Sequence, residues 1–161
     1  MNFYEQIKKD IISSLRTNKR FRNLDFLDNI QELNPNHFNL SRAVGVVSIL
    51  NLNKIENDSF CDDFRVKQLL TVEYHIKPDV KASDWESYLN VIQAEIIYTL
   101  KEAQEKGTLF TNPQDFDFNF IQAGVGQLKK NDVKTKIYSK ATIVQYEIEY
   151  DLKKVIGNEQ I

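Results

Sequence analysis

The chain reads as an α/β protein of the α+β kind, with a single mixed four-stranded sheet. The elements run helix, strand, strand, helix, strand, strand, and both helices pack on one face. Three observations predict this. Residues 83–106 carry Trp85, Leu89, Ile92, Ile96, Leu100 and Ala103 at spacings of three and four, which makes one apolar helical stripe. Residues 64–76 and 137–152 alternate apolar with polar side chains, the period of a strand with one face in a core. Glycine (5) and proline (3) are scarce, which favours long regular elements.

In chain order, residues 2–17 form a first helix, with Phe3, Ile7, Ile11 and Leu15 on one stripe widened by Tyr4 and Ile12. Residues 18–42 are the least regular. Lys19, Arg20 and Arg22 beside Phe21 suit a solvated helix end better than a phosphate site. Phe26, Leu27, Ile30 and Leu33 suggest a short helical turn or a pinned loop before Asn34-Pro35-Asn36 breaks it. Residues 43–52, AVGVVSILNL, are apolar on both faces, as in a doubly covered strand. Residues 53–63 read as a polar, acidic connection.

The second strand, 64–76, points Val66, Leu70, Val72, Tyr74 and Ile76 one way and Arg65, Lys67, Thr71 and Glu73 the other. It should pair with the first as an antiparallel hairpin, and Pro78 ends it. The long helix opens on Ser83, whose hydroxyl with Glu86 makes a capping box, and closes on Gly107. At ~1.5 Å per residue it is about 36 Å long. Phe116, Phe118 and Phe120 begin a third strand that ends near Ala123, where Gly124 and Gly126 open a polar connection. The fourth strand points Thr142, Val144, Tyr146, Ile148 and Tyr150 one way and Gln145, Glu147, Glu149 and Asp151 the other. Residues 1–152 are expected to be one domain, and 153–161 a loose tail.

Bulk properties narrow the function. A formal net charge of -2 over 161 residues argues against a nucleic-acid binder. The single Cys61 excludes an internal disulfide and fits a reducing compartment. No apolar run approaches the ~20 residues of a membrane span, and residues 1–10 lack the apolar stretch of a signal peptide.

Candidate chemistry is sparse. His37 and His75 have no neighbour at ligand spacing, and His75 falls on the polar strand face, where an ordinary surface histidine is expected. Asp58, Asp62 and Asp63 near Cys61 disfavour a thiolate. Glu56, Asp58, Asp62 and Asp63 crowd the first hairpin tip but fit no calcium loop; a solvated acidic tip, or one that meets a basic partner, explains them. Gly124-Val125-Gly126 lacks the third glycine of a dinucleotide loop. Glu147 and Glu149 lack a carboxylate partner across a cleft. No catalytic, cofactor or metal site is expected, and the protein is not expected to be an enzyme. The charged positions expected at assembly contacts are Glu56, Asp58, Asp62 and Asp63 at one tip, and Lys129 and Lys130 at the other.

One arrangement has a precedent. A first helix, an apolar strand, an acidic connection and a long alternating strand lead through HIKPDVKASDWESYL into a helix opening with Asp and Trp, and the chain closes on ATIVQYEIEYDL. This resembles the tail terminator proteins of long-tailed, lambda-like bacteriophages. The resemblance covers about residues 1–152 and is most specific at 64–89 and 141–151. It implies a mixed α/β fold and a hexameric ring that caps the tail tube, stops its polymerisation and presents a surface to the head. The implied partners are further copies of the chain, the tail tube protein and a head-completion or neck protein. No membrane and no sequence-specific nucleic acid are implied. No cofactor is implied beyond a divalent cation that could aid oligomerisation. The implied location is the head-proximal end of the virion tail, after assembly in the host bacterial cytoplasm. A second class, a small-ligand binding module, would need a pocket between helix and sheet.

Overall fold

A computed structural model describes residues 2–28, 43–58, 63–77, 84–129 and 137–159. Its elements are α1 (Phe3–Leu15), β1 (Asp25–Leu27), β2 (Ala43–Asp58), β3 (Asp63–Ile76), α2 (Trp85–Glu105), a 3-10 turn (Pro113–Asp115), β4 (Phe116–Lys129), β5 (Ile137–Asp151) and α3 (Lys153–Glu159). The strands make one mixed sheet in the order β1-β2-β3-β5-β4. Strand β1 is parallel to β2, and the other pairings are antiparallel. Strands β3 and β4 both oppose β5, so they run parallel to each other, and α2 is the crossover between them.

The α+β class follows the sequence reading, but the described sheet has five strands and not four, and the order gains a strand after α1 and a helix at the end. The extra strand lies where a helical turn or loop was expected. Phe26 of β1 stands in register with Gly45. A Cβ at Gly45 would come within 2.6 Å of the Phe26 ring, so the bare backbone there is what lets β1 lie against β2. Ile30 and Leu33, given the same role, lie outside the described residues.

Both helices owe their ends to local chemistry. On α1, the Glu5 N–H donates to Asn2 Oδ1 at 2.9 Å and the Asn2 N–H donates to Glu5 Oε2 at 3.3 Å, a reciprocal capping box. Helix α2 starts later than its sequence suggests. Asp84 is the N-cap and makes no side-chain cap bond, while Ser83 lies outside the described residues. At the other end Gly107 adopts φ 71°. The Gly107 N–H reaches the Gln104 carbonyl at 3.1 Å and the Thr108 N–H reaches that of Ala103 at 2.9 Å, which satisfies two terminal carbonyls.

The core forms where the helix stripes meet one sheet face. Phe3, Ile7, Ile11 and Leu15 of α1 and Leu89, Ile92, Ile96 and Leu100 of α2 are buried against Val66, Leu70, Val72, Val144, Ile148 and Tyr150. Each such aliphatic side chain is worth about 1.5–3 kcal/mol. An aromatic seam closes the β4 side, with Phe118 stacked on Tyr146 at 4.4 Å and Phe110 edge-on to Phe116 at 4.3 Å. Trp85 is only half-buried, its ring held 5.0 Å below the Lys140 ammonium, so it belongs to the rim of the stripe.

Three boundaries depart from the sequence reading. Strand β2 continues through the supposed acidic connection to Asp58, because β3 offers it a ladder all the way to Asp63. Strand β4 runs through Gly124 and Gly126 to Lys129, because β5 pairs with it residue by residue there. The supposed tail forms helix α3. The Lys153 N–H is capped by Asp151 Oδ1 at 2.9 Å, the Leu152 N–H donates to the Phe64 carbonyl at 2.9 Å, and Lys154 pairs with Asp115 at 3.1 Å.

Candidate assembly surface

Three antiparallel pairings carry single rows of side chains across the whole sheet. On the face away from the helices, one row reads Lys67, Glu149, Asp117. It runs from a lysine on β3 to two carboxylates on β5 and β4. Arg65, in the next row, reaches Glu149 at 3.4 Å and Asp117 at 3.6 Å, and Asp117 is still 70% exposed. Glu147 and Asp151 add to the acidic half on β5. The bases of β3 therefore stand beside the carboxylates of β5 and β4 at this end.

Both sheet edges are open among the described residues. Strand β1 covers only Val44 to Val46 of β2, and β4 pairs only with β5. Each edge carries apolar side chains that the helical layer does not reach. Ile55 and Phe64 on the first hairpin are 53% and 46% exposed, and Phe120 and Ile121 on β4 are 49% and 44% exposed. Two extra residues of β2 are accommodated between Ile49 and Asn53. There the Gln68 amide donates to the Leu50 carbonyl at 2.8 Å, so the hairpin leaves the core through a bulge anchored by a side chain.

The expected contact residues do not form one site. Glu56 is exposed at the register position of Arg65, and Asp58 and Asp63 face each other as the last backbone pair of the hairpin. Lys129 pairs with Ile137 at the far end of β4, roughly 40 Å along the strands from the Asp117 row at ~3.3 Å per residue. Asp62 and Lys130 lie outside the described residues, as do His37 and Cys61. Among the described residues no group of three or more His, Cys, Asp or Glu could hold a metal ion. No described helix is long and apolar enough to cross a membrane.

Sequence reasoning missed the other end of the same face. His75, expected at the surface, has no exposure at all. Its Nε2 lies 3.0 Å from Glu73 Oε1 and its Nδ1 lies 2.9 Å from Ser139 Oγ. Thr71 donates to Glu73 at 3.2 Å and contacts Ser48 at 2.7 Å, which completes a chain of five polar side chains. Serine, histidine and glutamate in series are the residue types of a hydrolytic triad, but the ring is reversed, with the acid on Nε2 and the serine on Nδ1. Here Ser139 and His75 are both sealed from solvent, and no substrate reaches them in this conformation. Polar residues at alternate positions of one strand, Thr71-x-Glu73-x-His75, were the available signal.

The basic knot also finds a different use. Both Nε and Nη2 of Arg20 bond the Glu95 carboxylate, the latter at 3.2 Å, and the guanidinium sits 5.7 Å from the Tyr88 ring centroid. It ties the turn after α1 to α2 and is no free helix end. That hydrogen bond holds the guanidinium above its ordinary pKa. Burial pushes the Tyr74, Tyr146 and Tyr150 hydroxyls well above the usual tyrosine range. A cleft of about 610 Å³ between α1 and the end of α2 is lined by Ser14, Thr17, Asn18, Thr99 and Thr108. The Asn18 amide donates to Thr99 at 3.3 Å, and Thr17 and Thr108 donate to backbone carbonyls at 2.7 and 3.3 Å. Compared with known proteins, the chain matches no family model and no curated sequence.

Proposed function

We propose that this chain is a structural protein of phage tail assembly. In this reading it forms a ring of six copies through contacts between unlike edges of neighbouring chains. The ring caps the head-proximal end of the tail tube, ends its polymerisation and offers the surface on which a neck or head-completion protein docks. It catalyses no reaction, is assembled in the host bacterial cytoplasm and ends in the virion. The observation that carries this reading is the pair of open sheet edges, β2 beyond β1 on one side and β4 on the other, each with half-exposed apolar side chains nearby. Unlike surfaces on opposite sides of one chain support head-to-tail contacts, and such contacts close into rings when the rotation permits. Negative-stain images of the purified protein mixed with tail tubes test it. Rings seated on one end of tubes of fixed length are expected. Tubes that keep growing with no ring at either end would overturn it.

A second reading, a small-ligand binding module, is favoured by the cleft between α1 and α2. Its lining hydroxyls and amide are largely bonded within the protein. Soaking with a panel of small polyols, read by calorimetry, tests it; heat that saturates at one ligand per chain would move the assignment there.

A further inference from the structure

We infer that two chains away from tail tubes pair through their β4 edges about a two-fold axis, antiparallel, with Phe120 of each copy beside Ile121 of the other. This goes beyond the ring reading above. A chain paired in this way has one of its ring edges covered, so the pair and the ring exclude each other.

The bulge in β4 selects the partner. Before it, Phe116, Phe118 and Phe120 stand in the helix-side rows of Tyr150, Ile148 and Tyr146, and Asp117 and Asn119 stand in the outer rows of Glu149 and Glu147. After it the parity is reversed. Ala123 and Val125 stand with Val144 and Thr142 on the helix side, and Gln122 and Gly124 stand with Gln145 and Ile143 on the outer side. A strand without a bulge that matches one half is out of phase with the other. A second β4, turned end for end, sets the first half of each copy against the second half of the other and matches both.

Register follows from the side chains. With the axis between Phe120 and Ile121, Phe116 lies beside Val125, Asp117 beside Gly124, Phe118 beside Ala123, and Asn119 beside Gln122. Apolar residues meet on the helix side, and polar residues or glycine meet on the outer side. Asp117 is the only charged residue from Phe116 to Leu128, and it faces a glycine, so no like charges meet. Phe120 and Ile121, 49% and 44% exposed, cover each other at the axis. A slip of one residue sets Asn119 beside Ala123, or Phe118 beside Gln122. A slip of two sets Phe120 beside Asn119, or parts it from Ile121 and leaves it beside Ala123.

The surroundings leave room for the second copy. Residues 119–122 are all exposed, and a Cβ at Gly124 or Gly126 would meet nothing within 4 Å. The Phe118 carbonyl accepts from Gln104 at 3.0 Å and keeps a second lone pair for a strand N–H. Gln93 and Gln104 of α2 reach Thr142 of β5 and Phe118 of β4, so the helix lies over those two strands. At ~4.8 Å per strand the two α2 helices then stand about 10 Å apart, an ordinary packing distance.

The test uses full chains carrying Cys61→Ser, with Asn119→Cys in one batch and Gln122→Cys in another. Each is oxidised alone and mixed one to one, without tubes, and read on non-reducing gels. The join sets residue 119 of one copy directly opposite residue 122 of the other, within disulfide reach, and away from residue 119 of the other. A cross-linked pair is expected in the mixture and not in either variant alone. No cross-link in the mixture, or equal cross-linking of each variant with itself, would overturn the join. By light scattering, the wild-type chain should reach twice its 18.8 kDa mass. Ile121→Asp buries a charge at the axis, so its association midpoint should move to at least about tenfold higher concentration. A melting curve checks that this variant stays folded, and association like wild type would overturn the join. Rings on tube ends from a chain that stays single in solution would overturn the pairing and leave the ring reading standing. A pair in solution that leaves tubes uncapped would do the reverse.

Discussion

Along the outer face of the sheet, the side chains of Glu73 and His75 are sealed from water, whereas the row through Lys67 and Glu149, farther along the same face, stays partly open to it. Both ends are polar and both follow the same period of two. At the sealed end the polar groups had to find partners inside the protein, and the chain from Ser48 to Ser139 is the result. At the open end water can serve the charges, and Lys67, Glu149 and Asp117 stand in one row without an internal network. The sealed end therefore serves the stability of the fold, and the proposed assembly would use the open one.

The helix-covered face gives the reference for that contrast and the largest expected effect. Burial raises the Tyr74, Tyr146 and Tyr150 hydroxyls above the ordinary value of 10.0, so the folded state keeps protons that the unfolded state loses. Stability is then fully present below about pH 10 and falls as pH rises beyond it. Melting curves from pH 8 to 12 should show the loss concentrated above pH 10; a flat profile there would contradict the burial of these rings.

At the sealed end, His75→Ala leaves the Glu73 carboxylate and the Ser139 hydroxyl without their partner and opens a hole. It should cost about 3 kcal/mol in a urea titration. A loss below ~1 kcal/mol would mean that water replaces the ring, and the two ends would no longer differ. Gly45→Val should cost about 2 kcal/mol, since the new side chain must displace the Phe26 ring. Hydrogen exchange should place that loss at residues 25–27 and 44–46 first.

At the open end, Glu149→Gln should change stability by no more than ~0.5 kcal/mol, because its pair with Arg65 is partly solvated. A larger loss would make the charge row a structural element. The smallest effect carries the opposite sign. The Tyr146 hydroxyl is buried with no hydrogen-bond partner, so Tyr146→Phe should be neutral or stabilise slightly. A destabilised Phe variant would reveal a partner that this arrangement lacks.

These contrasts explain what could be read beforehand. The stripes of α1 and α2 and the inner faces of β3 and β5 were legible because a single period set burial for Phe3, Ile7, Leu89, Ile92, Val72, Val144 and Ile148. Strand β1 was not, because three residues carry no period, and its reason to pair is a glycine on another strand. The ends of β2 and β4 were misjudged because polar residues and glycines there are held by neighbouring strands, which override local preference. His75 was misjudged because alternation assigns a face and says nothing of what covers it. The row of Lys67, Glu149 and Asp117 could not be read at all without register, since its members come from three strands.

The most direct measurement for the assembly account is the mass of the purified chain by light scattering, with and without tail tubes. The account predicts a species of six times the 18.8 kDa chain, or its capture as a ring on tube ends. A mass of 18.8 kDa at every concentration, unchanged by tubes, would contradict it.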